Sequence, residues 1–482
     1  MATKISNLSE LYPIVREEEK ISEGVLAMIG RFDLKRLLKP LTGFKTRGIS
    51  VMTVLSALIL CRFRGLSIYS MYKSGQMQID ENTLYRTMNN PQMDWRSLLL
   101  GAVMQFLKIV RQKGSNNEGI KCYIVDDTTV PKSGSTIEGI SKIYDHVEQC
   151  CILGFKMLTL ALWDGKSLLP IDFSLHRESE DKNWGLKIKE LKRLFSKKRD
   201  EKSPSSKRFK ELDMDKPSMV LQMLGRACKH NILASYVLMD SWFITDSMIK
   251  GIRALRKGMM HVVGICKMDK RKFTVEGREL NSQAIIKMKD CKKFKHKSRK
   301  YKSEYIKVDA TYKETPVRLF YVKYRGADKW KLLLTTDLSL SFTKAMEIYQ
   351  IRWSIEVFFK ECKQYLRLGQ AQNTDFDGQI ADTAIALITH LMLSMQLRFQ
   401  AYETMGGLFR DVQDQMIYDT LYERIMTVIL EIIVHLLELL SIDLDETIKR
   451  MIGCDEKSKQ VINLLNAANQ MNNNVVKNEM VK

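Results

Sequence analysis

Two adjacent aspartates, Asp126 and Asp127, close the apolar run Cys122–Val125, and a third, Asp240, closes Ser235–Met239. A charged residue ending an apolar strand does not belong to the core. It sits at the sheet edge, where α/β folds place their sites. A lone aspartate there serves equally well as a turn or cap residue. Several such carboxylates together favour chemistry, since they act as acid–base groups and bind hard cations. A fourth carboxylate has a better-defined setting. In IYQIRWSIEVFFKECKQYL, on one helix at about 100° per residue, Tyr349, Arg352, Glu356 and Lys363 project near 0°, −60°, −20° and −40°, with Lys360 near +20°. Ile351, Trp353, Ile355, Val357, Phe358 and Phe359 surround this polar stripe. So narrow a stripe on so apolar a helix reads as a polar cleft, with one carboxylate flanked by two or three cations and a phenol.

The elements that must position these groups follow from periodicity. Residues 1–115 read as helical, with apolar repeats at Val51–Cys61 and Leu98–Val110. Between those repeats, one helix ends near Gly75 and another runs from Asp80 to Met88. The pair resembles a helix-turn-helix that presents Asn82, Thr83, Tyr85 and Arg86 to DNA. Two packed helices with a polar outer face are an equal alternative. After GSNNEG, the runs CYIVDDTTV, MLTLALW and LPIDFSL read as three successive strands. A helix over 184–195, a basic loop SKKRDEKSPSSKRFK, a helix over Met219–Lys229, a fourth strand SYVLMD, a helix over 244–256 and a fifth strand HVVGIC follow. This order fits an α/β mixed sheet with helices on its faces. Residues 267–337 alternate basic and β-forming residues and read as a β-rich insertion, ahead of a long helix beginning near Thr343. Residues 373–455 are again helical, and the polar residues 456–482 read as a frayed tail.

Composition bounds the partner. Among 482 residues, 77 Lys and Arg face 56 Asp and Glu, a net charge of +21, which points to a polyanion and most often to nucleic acid. The nine cysteines form no C-x-x-C pair, so a disulfide framework or structural zinc site is not expected. The first 20 residues lack the apolar core of a secretory signal. The apolar stretches 380–397 and 425–442 are broken by charges and read as buried helices rather than membrane spans. A cytoplasmic protein with no membrane partner is expected.

DDT at 126–128, Asp240 in MDSWF and the Tyr-Arg-Glu-Lys spacing resemble the DDE transposases of bacterial insertion sequences, in the subgroup with the YREK signature. The resemblance covers about residues 120–370. It implies a ribonuclease-H-like core over residues 120–266 and 338–372, with the β-rich insertion of 267–337 between the two pieces. By motif, the catalytic and metal-binding positions are Asp127, Asp240 and Glu356. Asp127 is taken because the family's carboxylate immediately precedes the Thr-Thr pair. Neighbours on a strand face opposite ways, so Asp126 is expected to point away from the site. The implied cofactor is Mg2+, with Mn2+ as substitute. Two such ions about 3.5–4 Å apart can activate the attacking oxygen and stabilise the leaving one. The implied reaction cuts transposon ends in double-stranded DNA and joins the 3′-hydroxyls to target DNA, with a homodimer pairing the two ends.

The resemblance also gives Tyr349, Arg352 and Lys363 a hold on DNA-end phosphates, Arg as a bidentate grip and Lys as a point charge. The subgroup often uses a hairpin intermediate, with a base flipped against an aromatic side chain of the insertion. Trp330 in DKWKLLLTT is the candidate, unless the register turns Lys331 toward the site and Trp330 away. Core packing is its alternative role. Lys287–Lys302 holds nine Lys and Arg interleaved with Phe294, His296 and Tyr301. It reads as a DNA-backbone track through Lys293, Lys295 and Lys297, with a solvated strand face as the alternative. Glu431, His435 and Glu438 have metal-like spacing but read as the exposed stripe of a buried helix. Tyr144, Asp145 and His146 read as a turn leading into a strand.

Overall fold

The computed structural model describes residues 30–399, apart from 31, 44–46, 75–76, 78, 114–118, 146–147, 179–194, 291–292 and 372, together with Met405. Five helices open the described chain: α1 (Leu34–Leu38), α2 (Val51–Phe63), α3 (Ile68–Lys73), α4 (Glu81–Met88) and α5 (Trp95–Gln112). All but α1 begin behind a Ser or Asp whose side chain accepts a hydrogen bond from a first-turn amide, as Ser50 does from Thr53 and Asp80 from Asn82. Such a cap satisfies a donor that the helix itself leaves free. The α3–α4 pair matches the two helices expected there.

The sheet begins with β1 (Cys122–Pro131), β2 (Ser141–Asp145), β3 (Cys150–Trp163) and β4 (Leu168–His176). Sequence periodicity gives three of these; β2 is a five-residue edge strand whose last two residues, Tyr144 and Asp145, fall where a turn into the next strand is expected. Helices α6 (Pro204–Lys210) and α7 (Lys216–Lys229) lead to β5 (Tyr236–Met239), α8 (Asp246–Leu255) and β6 (His261–Cys266). The central order is β4-β3-β1-β5-β6, with β1, β5 and β6 parallel and β3 antiparallel to both β1 and β4. This mixed α/β sheet with flanking helices is consistent with a ribonuclease-H-like DDE fold.

Residues 267–337 supply β7 (Lys272–Val275), β8 (Arg278–Asn281), α9 (Ser282–Lys289), β9 (His296–Ser298), β10 (Ser303–Tyr312), β11 (Thr315–Tyr324) and β12 (Lys331–Thr335). They continue the central sheet rather than forming a separate layer, because β12 pairs antiparallel with β6 from Leu332↔Cys266 to Thr335↔Val263. The helix expected from Thr343 is two helices, α10 (Phe342–Gln350) and α11 (Trp353–Tyr365). The joint keeps helical dihedrals but tightens to bonds three residues back, from Arg352 N to Tyr349 O and from Ile355 N to Arg352 O. The last described helix, α12 (Phe376–Phe399), is the one described helix long and apolar enough to cross a membrane, and it is buried against α5, α2, α4 and β4.

Several expectations fall outside the described residues: most of the 184–195 helix, Glu431, His435, Glu438 and the polar tail. The seven described cysteines are all free thiols.

Candidate active site

Asp126 and Asp240 come together through strand register. In the parallel pair β1–β5, Ile124 sits beside Leu238 and Val125 beside Met239. One step further, where the pairing ends, Asp126 in the middle of β1 is followed across the gap by Asp240, the residue just past the end of β5. Gly264 on β6 accommodates that strand end, since a Cβ there would lie 2.9 Å from the Met239 carbonyl oxygen. The turn after β5 is held by Ser241 N donating to Asp240 Oδ1 at 2.6 Å.

The third carboxylate arrives on α11. Arg352 donates from Nη1 to Asp126 Oδ2 at 3.0 Å and from Nη2 to Glu356 Oε1 at 2.6 Å, so one guanidinium ties strand β1 to the helix. Burial pushes the Asp126 carboxyl up to about 7 against the pull of Arg352, and the nearby charges of Asp127 and Asp240 push it the same way. Lys363, two turns further along α11, donates to Thr128 Oγ1 at 2.7 Å, on the same strand face as Asp126. Burial lowers its ammonium pKa.

The structure reverses the expected orientation of the aspartate pair. Asp127 points to the opposite face and is ion-paired with Lys216 at the start of α7. Lys156 lies on that face too, donating to Thr129 Oγ1 at 2.9 Å. The two neighbours do face opposite ways, and it is Asp126, not the motif's Asp127, that shares the Arg352 partner with Glu356. Among the described residues, no three His, Cys, Asp or Glu side chains converge closely enough to hold one metal ion as they stand. Two of the acids, Asp126 and Glu356, meet through the Arg352 guanidinium instead, with Asp240 near enough for its charge to act on Asp126. The donor set still fits a hard divalent ion: oxygen ligands from three elements, with one carboxylate crowded by neighbouring negative charge.

Beside Asp240 opens a cavity of about 410 Å³, walled by Tyr324, Trp330, Lys331, Met346 and Tyr349 among others. Trp330 and Lys331 both line it. Tyr349 also faces Arg352, whose guanidinium carbon is 5.9 Å from the ring centre. The apolar surround expected on α11 is only half buried. Ile355, Phe358 and Phe359 are packed inside, while Trp353 is 63% and Val357 43% exposed. Lys360 is exposed on the same helix.

Arg86 is exposed on α4, with its Nε–H donating to Asn82 O inside its own helix. Of the basic track, Lys293 and Lys297 are exposed, whereas Lys295 is half-buried and paired to Asp290 at 2.6 Å. Lys300 pairs with Glu347 of α10 at 2.6 Å, and Tyr301 packs against Phe342 of the same helix, so the track abuts the element that carries Tyr349. Sequence reasoning missed Lys156 and Lys216, for which no motif signals a role, and also Tyr324, whose alternation on β11 is masked by a run buried on both faces.

Residues 41–264 match a family model described as DDE superfamily endonuclease, and residues 217–392 match one described as transposase DDE domain. No curated protein matches the chain. Carboxylates on two neighbouring parallel strands and a nearby helix occur within the stretches matched, and the two matches together support a DDE transposase with endonuclease function.

Proposed function

We propose that the chain is a cut-and-paste transposase of the bacterial insertion-sequence type with the DDT/D/YREK signature, acting in the cytoplasm as a homodimer on double-stranded DNA. The observation that carries this reading is the single guanidinium of Arg352 held between Asp126 and Glu356, with Asp240 near enough for its charge to act on Asp126. Asp126, Asp240 and Glu356 would hold Mg2+, or Mn2+ in its place. When bound, a pair of such ions activates the attacking oxygen and stabilises the leaving one. The chain's own part is positional. Tyr349, Arg352 and Lys363, with Lys360 exposed beside them, grip backbone phosphates across the strand ends. The cavity walled by Tyr324, Trp330 and Tyr349 suits a base taken out of the stack, as a hairpin pathway needs. Arg86 on α4 and the exposed Lys293 and Lys297 extend the DNA surface, while Lys295 between them is engaged with Asp290.

A donor-end and target-plasmid joining assay in Mg2+ tests the proposal. Joined product is expected from the parent chain. Ala at 126, 240 or 356 should abolish cleavage while leaving DNA binding measured in a chelator in place, and Trp330→Ala should deplete any hairpin intermediate. Cleavage without joined product would make the protein a ribonuclease-H-like hydrolase. Binding without metal-dependent cleavage would make it a non-catalytic derivative.

A further inference from the structure

Arg352 does more in this structure than wait for a phosphate. Its two hydrogen bonds, 3.0 Å to Asp126 and 2.6 Å to Glu356, end on oxygens of two of the three carboxylates assigned above to metal. A guanidinium is a rigid planar fork. Lying between these oxygens, it fills the space that an ion bound to both, at about 2.0–2.1 Å from each, would need. The two cations therefore exclude one another. The side chain's two carboxylate bonds are ones that it would leave together, and its further partner, Tyr349, belongs to the wall of an open cavity. A DNA phosphate offers the same fork a bidentate partner of higher charge.

We propose that Arg352 is a gate coupling metal binding to DNA binding: in the free protein it locks Asp126 to Glu356, and a backbone phosphate draws it off and opens the carboxylates. The inference rests on the transposase reading. Thermodynamic coupling is reciprocal, so a divalent ion must also raise DNA affinity by the same factor that DNA raises affinity for the ion.

The test is Mn2+ binding to the full chain, followed by electron paramagnetic resonance and calorimetry with no turnover. The parent chain should bind Mn2+ weakly alone and at least about tenfold more tightly with a short duplex of arbitrary sequence. Arg352→Gln should bind Mn2+ tightly without DNA and gain little from the duplex, and Arg352→Lys should fall between. Near-ultraviolet circular dichroism checks that each variant is folded, and the Lys variant decides if the Gln variant is not. Equal Mn2+ affinity of the parent and the folded variant without DNA would overturn the gate. Asp240→Asn separates the two ideas: if it leaves Mn2+ binding unchanged in every state, the ion sits elsewhere, and the reading of the carboxylates fails along with the gate.

Discussion

Asp126 and Asp127 are chemically identical neighbours in different surroundings, one facing Arg352 and two further acids, the other paired with Lys216. Burial raises the Asp126 carboxyl to about 7, so between pH about 4 and about 7 the folded protein holds a proton that the unfolded chain releases. The stability linked to that proton is complete below the unfolded value and is lost as pH rises through the folded one. Urea unfolding in a chelator should therefore show the parent chain losing on the order of 1–4 kcal/mol from this group over that window. Asp126→Asn should flatten that loss. His176, lowered to about 4 by burial, works oppositely on the acid side: its contribution is lost as pH falls below the usual imidazole range. The comparison with Asp126→Asn cancels it. A parent-minus-variant difference that does not change with pH would refute the assignment. The motif and the alternation are legible in the sequence; which aspartate meets Arg352 is not. Which aspartate faces inward depends on the pairing of Val125 with Met239, more than 100 residues away, and no local pattern encodes a register between distant strands.

At the scale of elements, strands and helices with strong periodicity and caps were legible, and charged segments were not. The stretch SKKRDEKSPSSKRFK looks like a solvated loop. Yet Lys197 pairs with Asp375 and Asp377, Arg199 is 2.6 Å from buried Glu138, and α6 turns Arg208 inward. The partners lie far along the chain, so composition hides them. Asp172, inside the apolar strand β4, is the hub of a second network: Arg96 of α5 reaches it at 2.9 Å, Arg226 of α7 at 2.7 Å and Arg208 of α6 at 3.7 Å. These arginines hold its carboxyl below the usual range despite complete burial. Removing one partner of a buried ion cluster strands the rest, which typically costs about 3–5 kcal/mol. Asp172→Ala should lower unfolding stability by about that amount in urea denaturation. Arg226→Ala, removing the most exposed of the three cations, should cost less. If Asp172→Ala costs under about 1 kcal/mol, the network is not what joins α5, α6 and α7 to the sheet.

For the whole molecule, the charge of +21 is what first suggested nucleic acid, and the structure shows that this charge is not all available. Arg62, Arg96, Arg199, Arg208 and Arg398 are spent on internal carboxylates. The segment Lys287–Lys302 is different. Lys293, Lys297, Arg299 and Lys302 remain exposed, and the strand they flank abuts α10, which leads to Tyr349 and the cavity. That layout supports the proposed phosphate track, with its end beside the candidate site. Each cation that neutralises a phosphate releases condensed counterions and adds about 0.9 to the slope of log affinity against log salt. Changing Lys293, Lys297 and Lys302 together to Gln should therefore reduce that slope by roughly 2–3 and weaken binding in low salt. Because the effect is on backbone contacts, it should be similar for duplexes of different sequence. Lys295→Gln alone should do little, since that side chain is engaged with Asp290. A triple variant with the parent slope would leave these lysines on a merely solvated face and confine DNA contact to the cations of α11 and the N-terminal helices.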